Sequence, residues 1–141
     1  MAVARTKKRP VDLSTARLLD ANLNRAREGL RVLEDTARFL WNDKPMVVRL
    51  RAIRHGLHRI TAARYSELIQ ARDSRADVGR TVVETGRTRL SDVAAANMRR
   101  AQEAVRVLEE FSKVFSPAAA PEFKKIRYQL YTEEKRLLKR L

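Results

Sequence analysis

Residues 22–34 (NLNRAREGLRVLE) recur 75 residues later as residues 97–109 (NMRRAQEAVRVLE). Packing requires apolar residues to recur on one face of a helix but leaves the exposed polar positions free to change. Here polar residues recur too, so the repeat predicts two copies of one unit whose polar residues have a role of their own. The identical pairs are Asn22/Asn97, Arg25/Arg100, Ala26/Ala101, Glu28/Glu103, Arg31/Arg106, Val32/Val107, Leu33/Leu108 and Glu34/Glu109.

The apolar residues around each copy follow helical spacing. Steps of four and three residues predict amphipathic helices over residues 14–41, with Ser14 as N-cap, and over residues 88–115. The first seam consists of Leu19, Leu23, Ala26, Leu30, Leu33, Ala37 and Leu40. The second consists of Leu90, Ala94, Met98, Ala101, Val105, Leu108, Ser112 and Phe115.

A second helix follows each of these two. Asn42 and Asp43 can cap a helix over residues 45–70 whose first turn holds Pro45. Another helix is predicted over residues 120–140. Because the connections are short, each pair forms an antiparallel hairpin. We therefore predict an all-α fold, an up-down four-helix bundle of two repeated hairpins with pseudo-twofold symmetry.

The domain organisation follows from the same pattern. At 141 residues the chain is long enough for one hydrophobic core. We expect a flexible basic tail and a single helical domain containing two repeats and a functional loop, since a loop of this length in a compact domain is usually functional or disordered. The ranges are 1–13 for the tail, 14–141 for the domain, 14–70 and 89–141 for the repeats, and 71–88 for the loop.

Composition limits the partners and the chemistry. The net charge of +14 favours anionic partners, namely nucleic acid, a membrane surface or small phosphorylated molecules. Aromatic residues make up only 6%, and acidic residues are interleaved with basic ones, which is not typical of a nucleic-acid interface. The absence of cysteine excludes disulfides and thiolate chemistry. The sequence has no apolar run long enough to span a membrane and no secretory signal, so we expect a cytoplasmic protein without a membrane partner.

The repeated polar residues predict an anion-binding site. In an up-down bundle the first and third helices start at the same end, where the loop also lies. Asn22, Arg25, Asn97 and Arg100 would then converge with the loop residues Asp73 and Asp77. The small residues Gly29 and Ala104, one turn further along, would leave room for a pocket. Arginines suit phosphate, and carboxylates can hold Mg²⁺.

Several of these residues have simpler interpretations. Arg25 with Glu28, and Arg31 with Glu34, can form surface ion pairs. Asp73 and Asp77 can be turn and capping residues. His55 and His58 can serve in packing or at the surface, since no metal-ligand spacing surrounds them. The chain contains no phosphate-binding glycine loop, nucleophile elbow or zinc signature.

The order of motifs over residues 17–135 resembles the alternative hydroxymethylpyrimidine-phosphate kinase family, often found as the N-terminal region of thiamine-phosphate synthase. The residues that carry the resemblance are the run at 20–35, Ile53-Arg54-His55, Ala71-Arg72-Asp73, Asp77-Val78-Gly79, the run at 96–109, Ile126-Arg127-Tyr128 and Leu130-Tyr131. The resemblance implies a role in thiamine biosynthesis, in which ATP phosphorylates hydroxymethylpyrimidine phosphate to its diphosphate. It also implies a partner barrel domain of the synthase, for which 141 residues leave no room.

The predicted site contains the kinds of chemical group that such a kinase needs. Phosphoryl transfer needs cations around the phosphates and a held Mg²⁺. We expect Arg25 and Arg100 to be catalytic, with Asp73 and Asp77 as catalytic residues and Mg²⁺ ligands. The other members of the expected site are Asn22 and Asn97, Arg54 and Arg127, and His55 with Tyr128 as substrate-binding residues, and Glu28 with Glu103 as orienting residues.

Two alternatives from other classes stay open. A helical docking module would explain apolar residues beyond one seam, such as Val32, Phe39, Val107, Phe111 and Val114, and we expect a homodimer on this ground. A nucleic-acid binder would explain the net charge, but the sequence shows no recognised reading helix and no stacking aromatics.

Overall fold

A computed structural model describes residues 10–141 of the chain. These residues form five α-helices: α1 (Leu13–Asp35), α2 (Lys44–Thr61), α3 (Tyr65–Ala71), α4 (Leu90–Phe115) and α5 (Ala120–Leu138). A π-helical turn, Thr36–Leu40, follows α1, and a 3₁₀ turn, Ala62–Arg64, joins α2 to α3. The predicted all-α class is confirmed. No strand occurs among residues 10–141.

Local chemistry fixes the ends of the helices. Asp12, not Ser14, is the N-cap of α1, and its carboxylate accepts a hydrogen bond of 2.9 Å from the Thr15 N–H. Asp43 caps α2 by accepting from the Met46 N–H at 3.1 Å, and Pro45 stands in the first turn as predicted. Val11 packs against the core, so ordered structure begins before the predicted boundary at residue 14. Residues 1–9 of the predicted tail lie outside the described residues.

The core lies where the four long helices meet. Most residues of the predicted seams are buried, and Leu23, Leu30, Leu33, Leu108 and Leu130 are each at most 1% exposed. The ends of the seams are different: Leu40 is 56% exposed and Leu90 is 68% exposed. Leu40 is the last residue of the π-helical turn, and Leu90 is the first residue of α4. No helix within residues 10–141 combines the length and the apolar character that crossing a bilayer requires.

The predicted up-down order of the helices is wrong. Leu19, near the start of α1, lines one small cavity together with Leu108, near the end of α4. Further along α1, Gly29 lies against Asn97 and Ala101. Later residues of α1 therefore face earlier residues of α4, and the two helices are antiparallel.

The α2–α5 pair shows the same relation. Arg49 of α2 hydrogen bonds to Glu133 of α5, whereas Gly56 of α2 lies beside Ile126 of α5. These two helices are also antiparallel, so the order along the chain is up-down-down-up. The connection at residues 72–89 permits this order, since it can span up to about 60 Å when extended. This exceeds the length of α4, about 39 Å, so the chain can return to the far end of the bundle before α4 begins.

Candidate functional site

Glu34, one of the repeated glutamates, is buried between α1 and α2. Its side chain is 1% exposed and accepts hydrogen bonds from Arg51 Nε at 2.9 Å and Arg54 Nε at 2.8 Å. Burial alone would raise the pKa of this carboxyl, but the bonds from Arg54 and Arg51 together lower the pKa below its ordinary value. Arg54, predicted to bind substrate, is therefore committed to joining α2 to α1. The interpretation of Glu34 as a surface residue is wrong.

Glu109, the second copy of Glu34, has the same role between α4 and α5. Its two oxygens accept from Arg127 Nε at 2.7 Å and Arg127 NH2 at 3.2 Å. These bonds lower the pKa of Glu109 and raise that of Arg127, which also donates to the Tyr131 hydroxyl at 3.1 Å. The exposed ring of Tyr128 lies beside the Arg127 guanidinium, 5.3 Å from its centroid. The repeated Glu residues, with Arg54 and Arg127, thus have a structural reason to recur.

The repeated asparagines bond mainly within their own helices. Asn22 is buried and donates to the Leu18 carbonyl at 2.9 Å, and Asn97 donates to the Val93 carbonyl at 2.8 Å. Arg25 donates to the Asn22 side-chain oxygen at 3.4 Å. Such bonds to the carbonyl four residues earlier satisfy the amide nitrogen without a ligand.

Four other charged residues of the repeated motif are exposed, unlike Glu34 and Glu109. Arg25, Arg100, Glu28 and Glu103 all lie on the outer faces of α1 and α4. Glu28 and Glu103 were expected to orient the two arginines, but neither forms an ion pair with them in the described part of the chain. His55 and His58 are likewise exposed, and the His58 ring makes an edge contact with Tyr65 at 6.1 Å between centroids.

The two copies of the motif lie side by side where α1 and α4 cross, not at one end of the bundle. The space beside Gly29 is filled by the backbone of α4: a Cβ added there would lie 3.0 Å from the Asn97 carbonyl oxygen. Ala104 is buried as well. The predicted pocket beside Gly29 and Ala104 is therefore wrong, and these small residues instead let the helices approach closely.

Asp73 and Asp77 are turn residues of the exposed loop. Asp73 accepts from the Ala76 N–H at 3.1 Å, and Asp77 accepts from the Gly79 N–H at 2.8 Å. Arg72, just before them, makes a two-pronged bond to buried Asp20 at 2.7 and 2.8 Å and so ties this part of the loop to the start of α1. Within residues 10–141 no three His, Asp or Glu side chains form a metal-binding group. The loop does not join Asn97 and Arg100, which lie near the crossing, and a Mg²⁺ role for the two aspartates stays a prediction.

A cleft of about 700 Å³ opens between α2 and α5, at a position that the sequence analysis missed. Its middle is lined by small and apolar side chains, namely Ala52, Ile53, Gly56 and Ile126. Its volume falls in the range of small-molecule sites, about 300 to 1,000 Å³.

Cations stand at both ends of this cleft. One end holds Arg49, Arg136 and the buried Glu133, and we call it the clamp end. The other holds Arg59, Lys125 and Glu122, and we call it the open end. Neither Arg59 nor Lys125 forms an ion pair within residues 10–141. Ten residues of α2 separate Arg49 from Arg59, so the two ends are about 15 Å apart.

The cleft was missed because its charged positions are not repeated. When Ile53 is matched with Ile126, Arg49 corresponds to Glu122, Arg59 to Thr132 and Glu133 to Ile60. A comparison restricted to identical residues excludes all of them. The available signal was helical spacing, since Arg49, Gly56 and Arg59 fall on one face of α2 that has small residues between its cations.

The chain is similar to one known protein family and to several known proteins. The model of the ThiD2 family matches residues 17–136. The thiamine-phosphate synthase of Synechococcus sp. (strain CC9605) is 46% identical over 127 residues, which make up 88% of this chain and 35% of that protein. The synthase of Nostoc punctiforme is 39% identical over 136 residues, covering 94% of this chain and 38% of the relative. The synthase of Rhodopirellula baltica is 45% identical over 120 residues, covering 82% and 32%.

The chain spans about a third of the length of these curated relatives. No solved structure matches it. The relatives are thiamine-phosphate synthases, the class of protein whose N-terminal region the sequence resembles. Because one family model covers nearly all of its helical part, the chain belongs to the ThiD2 family.

Proposed function

We propose that this domain transfers a phosphoryl group from ATP to hydroxymethylpyrimidine phosphate and so forms the diphosphate. The observation that carries the proposal is the α2–α5 cleft, which has arginine or lysine at both ends and an apolar middle. Phosphoryl transfer depends mainly on positioning the phosphates and on stabilising charge around them. A cleft of this shape offers both without a glycine-rich loop.

The parts of the cleft suggest how the substrates lie. The apolar middle, between Ile53 and Ile126, suits a flat pyrimidine ring. Arg49 and Arg136 at the clamp end would bind the phosphate of the pyrimidine where it meets the γ-phosphate of ATP, since the attacking oxygen and the transferred group must be in contact. The rest of the triphosphate would run along the cleft toward Arg59 and Lys125 at the open end. A general base is not required, because the attacking phosphate oxygen is already anionic near neutral pH.

Mg²⁺ is expected as the companion of ATP. When bound, it would neutralise charge on the transferred phosphates. The residues present fit an ion carried by the nucleotide better than one held in a protein cage, because no three-residue acidic group exists among residues 10–141. Mg²⁺ is commonly held by one or two carboxylates together with substrate phosphates. Glu122 at the open end could supply one such carboxylate, and Asp73 or Asp77 could do so only if the loop moved.

The face formed by Asn22, Arg25, Asn97 and Arg100 is the second candidate for the site. Its residues are duplicated, and Arg25 and Arg100 are exposed near the crossing of α1 and α4. We rank it below the cleft because the space beside Gly29 is filled by backbone. Alanine variants of the two sets of arginines separate the candidates, as described in the Discussion.

The two hairpins are proposed to be related by a pseudo-twofold rotation. The matched ion pairs of Glu34 with Arg54 and of Glu109 with Arg127 support this relation. With α1 and α4 antiparallel, the axis would pass between the helices near Ala26 and Ala101. Superposition of residues 16–35 and 47–61 on residues 91–110 and 120–134, which are the equivalent positions of the repeat, measures the relation directly.

A docking role is the second candidate function. Phe39, Leu40 and Leu90 are between 56% and 68% exposed, and they lie in the π-helical turn after α1 and at the start of α4. Exposed apolar side chains of this size are typical of a contact surface. A second copy of the chain, or the barrel domain expected of a synthase, would cover them. Sedimentation at micromolar concentration tests the homodimer: a monomer of 16.3 kDa would leave the barrel domain as the proposed occupant.

Phosphorus NMR tests the proposed kinase. The chain is incubated with Mg·ATP and hydroxymethylpyrimidine phosphate, and the proposal predicts paired diphosphate signals that grow as ADP forms. The Arg99→Ala variant is a matched control, since Arg99 is an exposed arginine of α4 outside both candidate sites. If the folded chain forms no diphosphate under these conditions while ATP stays intact, the kinase proposal is wrong and the docking role takes its place.

A further inference from the structure

Glu133, at the clamp end of the cleft, is bonded differently from the other buried glutamates. Its side chain is 4% exposed, and its Oε1 accepts both from Arg49 Nε at 2.7 Å and from Arg136 NH1. Its Oε2 is buried and has no hydrogen-bond partner within the described residues. In Glu34 and Glu109, by contrast, both carboxylate oxygens accept from arginine. Buried carboxylates normally use both oxygens, so this arrangement calls for an explanation.

The consequence of the arrangement is that two guanidinium groups meet at one point. Arg49 donates to Glu133 through Nε alone, and Arg136 donates through NH1 alone. Their other N–H groups have no acceptor among residues 10–141, and the two side chains are 36% and 46% exposed. Guanidinium groups match the geometry of phosphate oxygens, which they bind through paired N–H donors.

We propose that Glu133 is a positioning residue that holds Arg49 and Arg136 as a clamp for a phosphate group. The clamp requires a ligand with a terminal phosphate or diphosphate. Its identification with hydroxymethylpyrimidine phosphate rests on the proposed function. Without Glu133 each long arginine side chain would have to be ordered when the anion binds, which weakens binding.

Because Glu133 is charged, the proposal can be tested by whether removing this charge strengthens or weakens anion binding. If Glu133 acted only through its charge, removing that charge beside an anion site would tighten anion binding. If Glu133 holds the arginines in place, removing its charge weakens binding. Glu133 is buried and lies within the Debye length of about 8 Å from an anion bound by these arginines, so salt at about 0.15 M leaves most of the charge effect in place, and weaker binding means that positioning outweighs it.

The experiment is titration of the folded chain with inorganic pyrophosphate by calorimetry, with the arginine Nε signals followed by NMR. We expect Glu133→Gln to weaken pyrophosphate binding by about fivefold, the effect of two less ordered side chains minus the relief of repulsion between the carboxylate and the anion. Arg136→Lys keeps the charge but loses the planar donors, and we expect a loss of about tenfold. Asp20→Asn removes another buried carboxylate that is paired with an arginine, at the far side of α1, and should leave affinity unchanged.

Three results would overturn the proposal: a wild-type chain that binds no pyrophosphate, a Glu133→Gln chain that binds as tightly or more tightly, or an Arg136→Lys chain without loss. The NMR spectrum and the thermal melting curve of each variant are used to check that it is folded. The clamp and the kinase activity are two proposals that can be refuted independently of each other. A chain that binds pyrophosphate through Glu133 but makes no diphosphate keeps the clamp and refutes the kinase. If Glu133→Gln makes diphosphate as fast as the wild type, the kinase stands and the clamp is refuted.

Discussion

Replacing Gly29 by alanine tests the close crossing of α1 and α4. The added Cβ would lie 3.0 Å from the Asn97 carbonyl oxygen, closer than ordinary van der Waals contact. Because the oxygen belongs to the backbone of a packed helix, the two helices must shift apart. Overpacking of this kind costs about 1 to 3 kcal/mol. Alanine also gains about 1 kcal/mol of helix propensity over glycine, so we expect a net loss of stability of about 1 kcal/mol.

Gly56→Ala is the matched control, since it makes the same chemical change in α2. The added Cβ would meet Arg59 at 3.5 Å and Ile126 at 3.7 Å, which are ordinary contacts. Only the propensity gain of about 1 kcal/mol is then expected. In urea unfolding the two variants should differ by about 2 kcal/mol, and their melting temperatures should move about 3 °C in opposite directions. If Gly29→Ala stabilises the chain as much as Gly56→Ala does, α1 and α4 do not cross closely at Gly29.

Other predictions concern the buried ion pairs. Glu109→Ala leaves Arg127 buried without its partner and should destabilise the fold by about 3 kcal/mol or more in urea unfolding, whereas a loss under 1 kcal/mol would contradict the pairing. Glu34→Ala should cost less, because Arg54 is 20% exposed and can reach water. Folding lowers the pKa of both glutamates below the ordinary 4.5, so in acid the unfolded chain binds more protons than the folded chain does. Their contribution to the free energy of unfolding is therefore complete above pH 4.5 and should fall as the pH drops through the lowered pKa values. Between pH 3 and 6, the free energy of unfolding measured with urea should fall less steeply with decreasing pH in Glu34→Gln and Glu109→Gln than in the wild type. An unchanged dependence on pH would contradict the role given to these two carboxylates.

The helices could be predicted because their signals are local. The spacing of Leu19, Leu23, Leu30 and Leu33 is written into one short stretch, and Pro45 marks the start of α2 within the same few residues. Most predicted and observed ends accordingly differ by only a few residues. There are two exceptions: a π-helical turn at residues 36–40 replaces the last turn of the first predicted helix, and a 3₁₀ turn at residues 62–64 divides the helix predicted over residues 45–70 into α2 and α3.

The direction of α4 could not be predicted in the same way. It depends on the path of residues 72–89, whose side chains are all exposed and carry no packing pattern that reveals where the chain goes. The predicted up-down order, which is the simplest, places Asn22 and Asn97 at the same end of the bundle. The antiparallel arrangement instead places the two copies beside each other at the helix crossing, running in opposite directions.

The candidate site was only partly visible in the sequence. The repeat of Glu34 and Glu109 showed that a polar role existed, but their partners Arg54 and Arg127 lie on other helices, and only the fold reveals the pairing. The cleft depends on α2 and α5 facing each other. Glu133 has no repeated counterpart, so sequence comparison within the chain gave no reason to single it out.

The rate of diphosphate formation in two double variants tests most directly whether the α2–α5 cleft is the site. Arg49→Ala with Arg136→Ala removes the clamp end of the cleft, and Arg25→Ala with Arg100→Ala removes the same number of positive charges from the face of α1 and α4. Losing a donor to a developing charge slows turnover by about a hundredfold or more. We predict a loss of at least that size for the cleft variant and a change of less than about threefold for the other. Loss of activity in the Arg25 and Arg100 variant, with activity retained in the cleft variant, would contradict the assignment and place the site on the repeated motif.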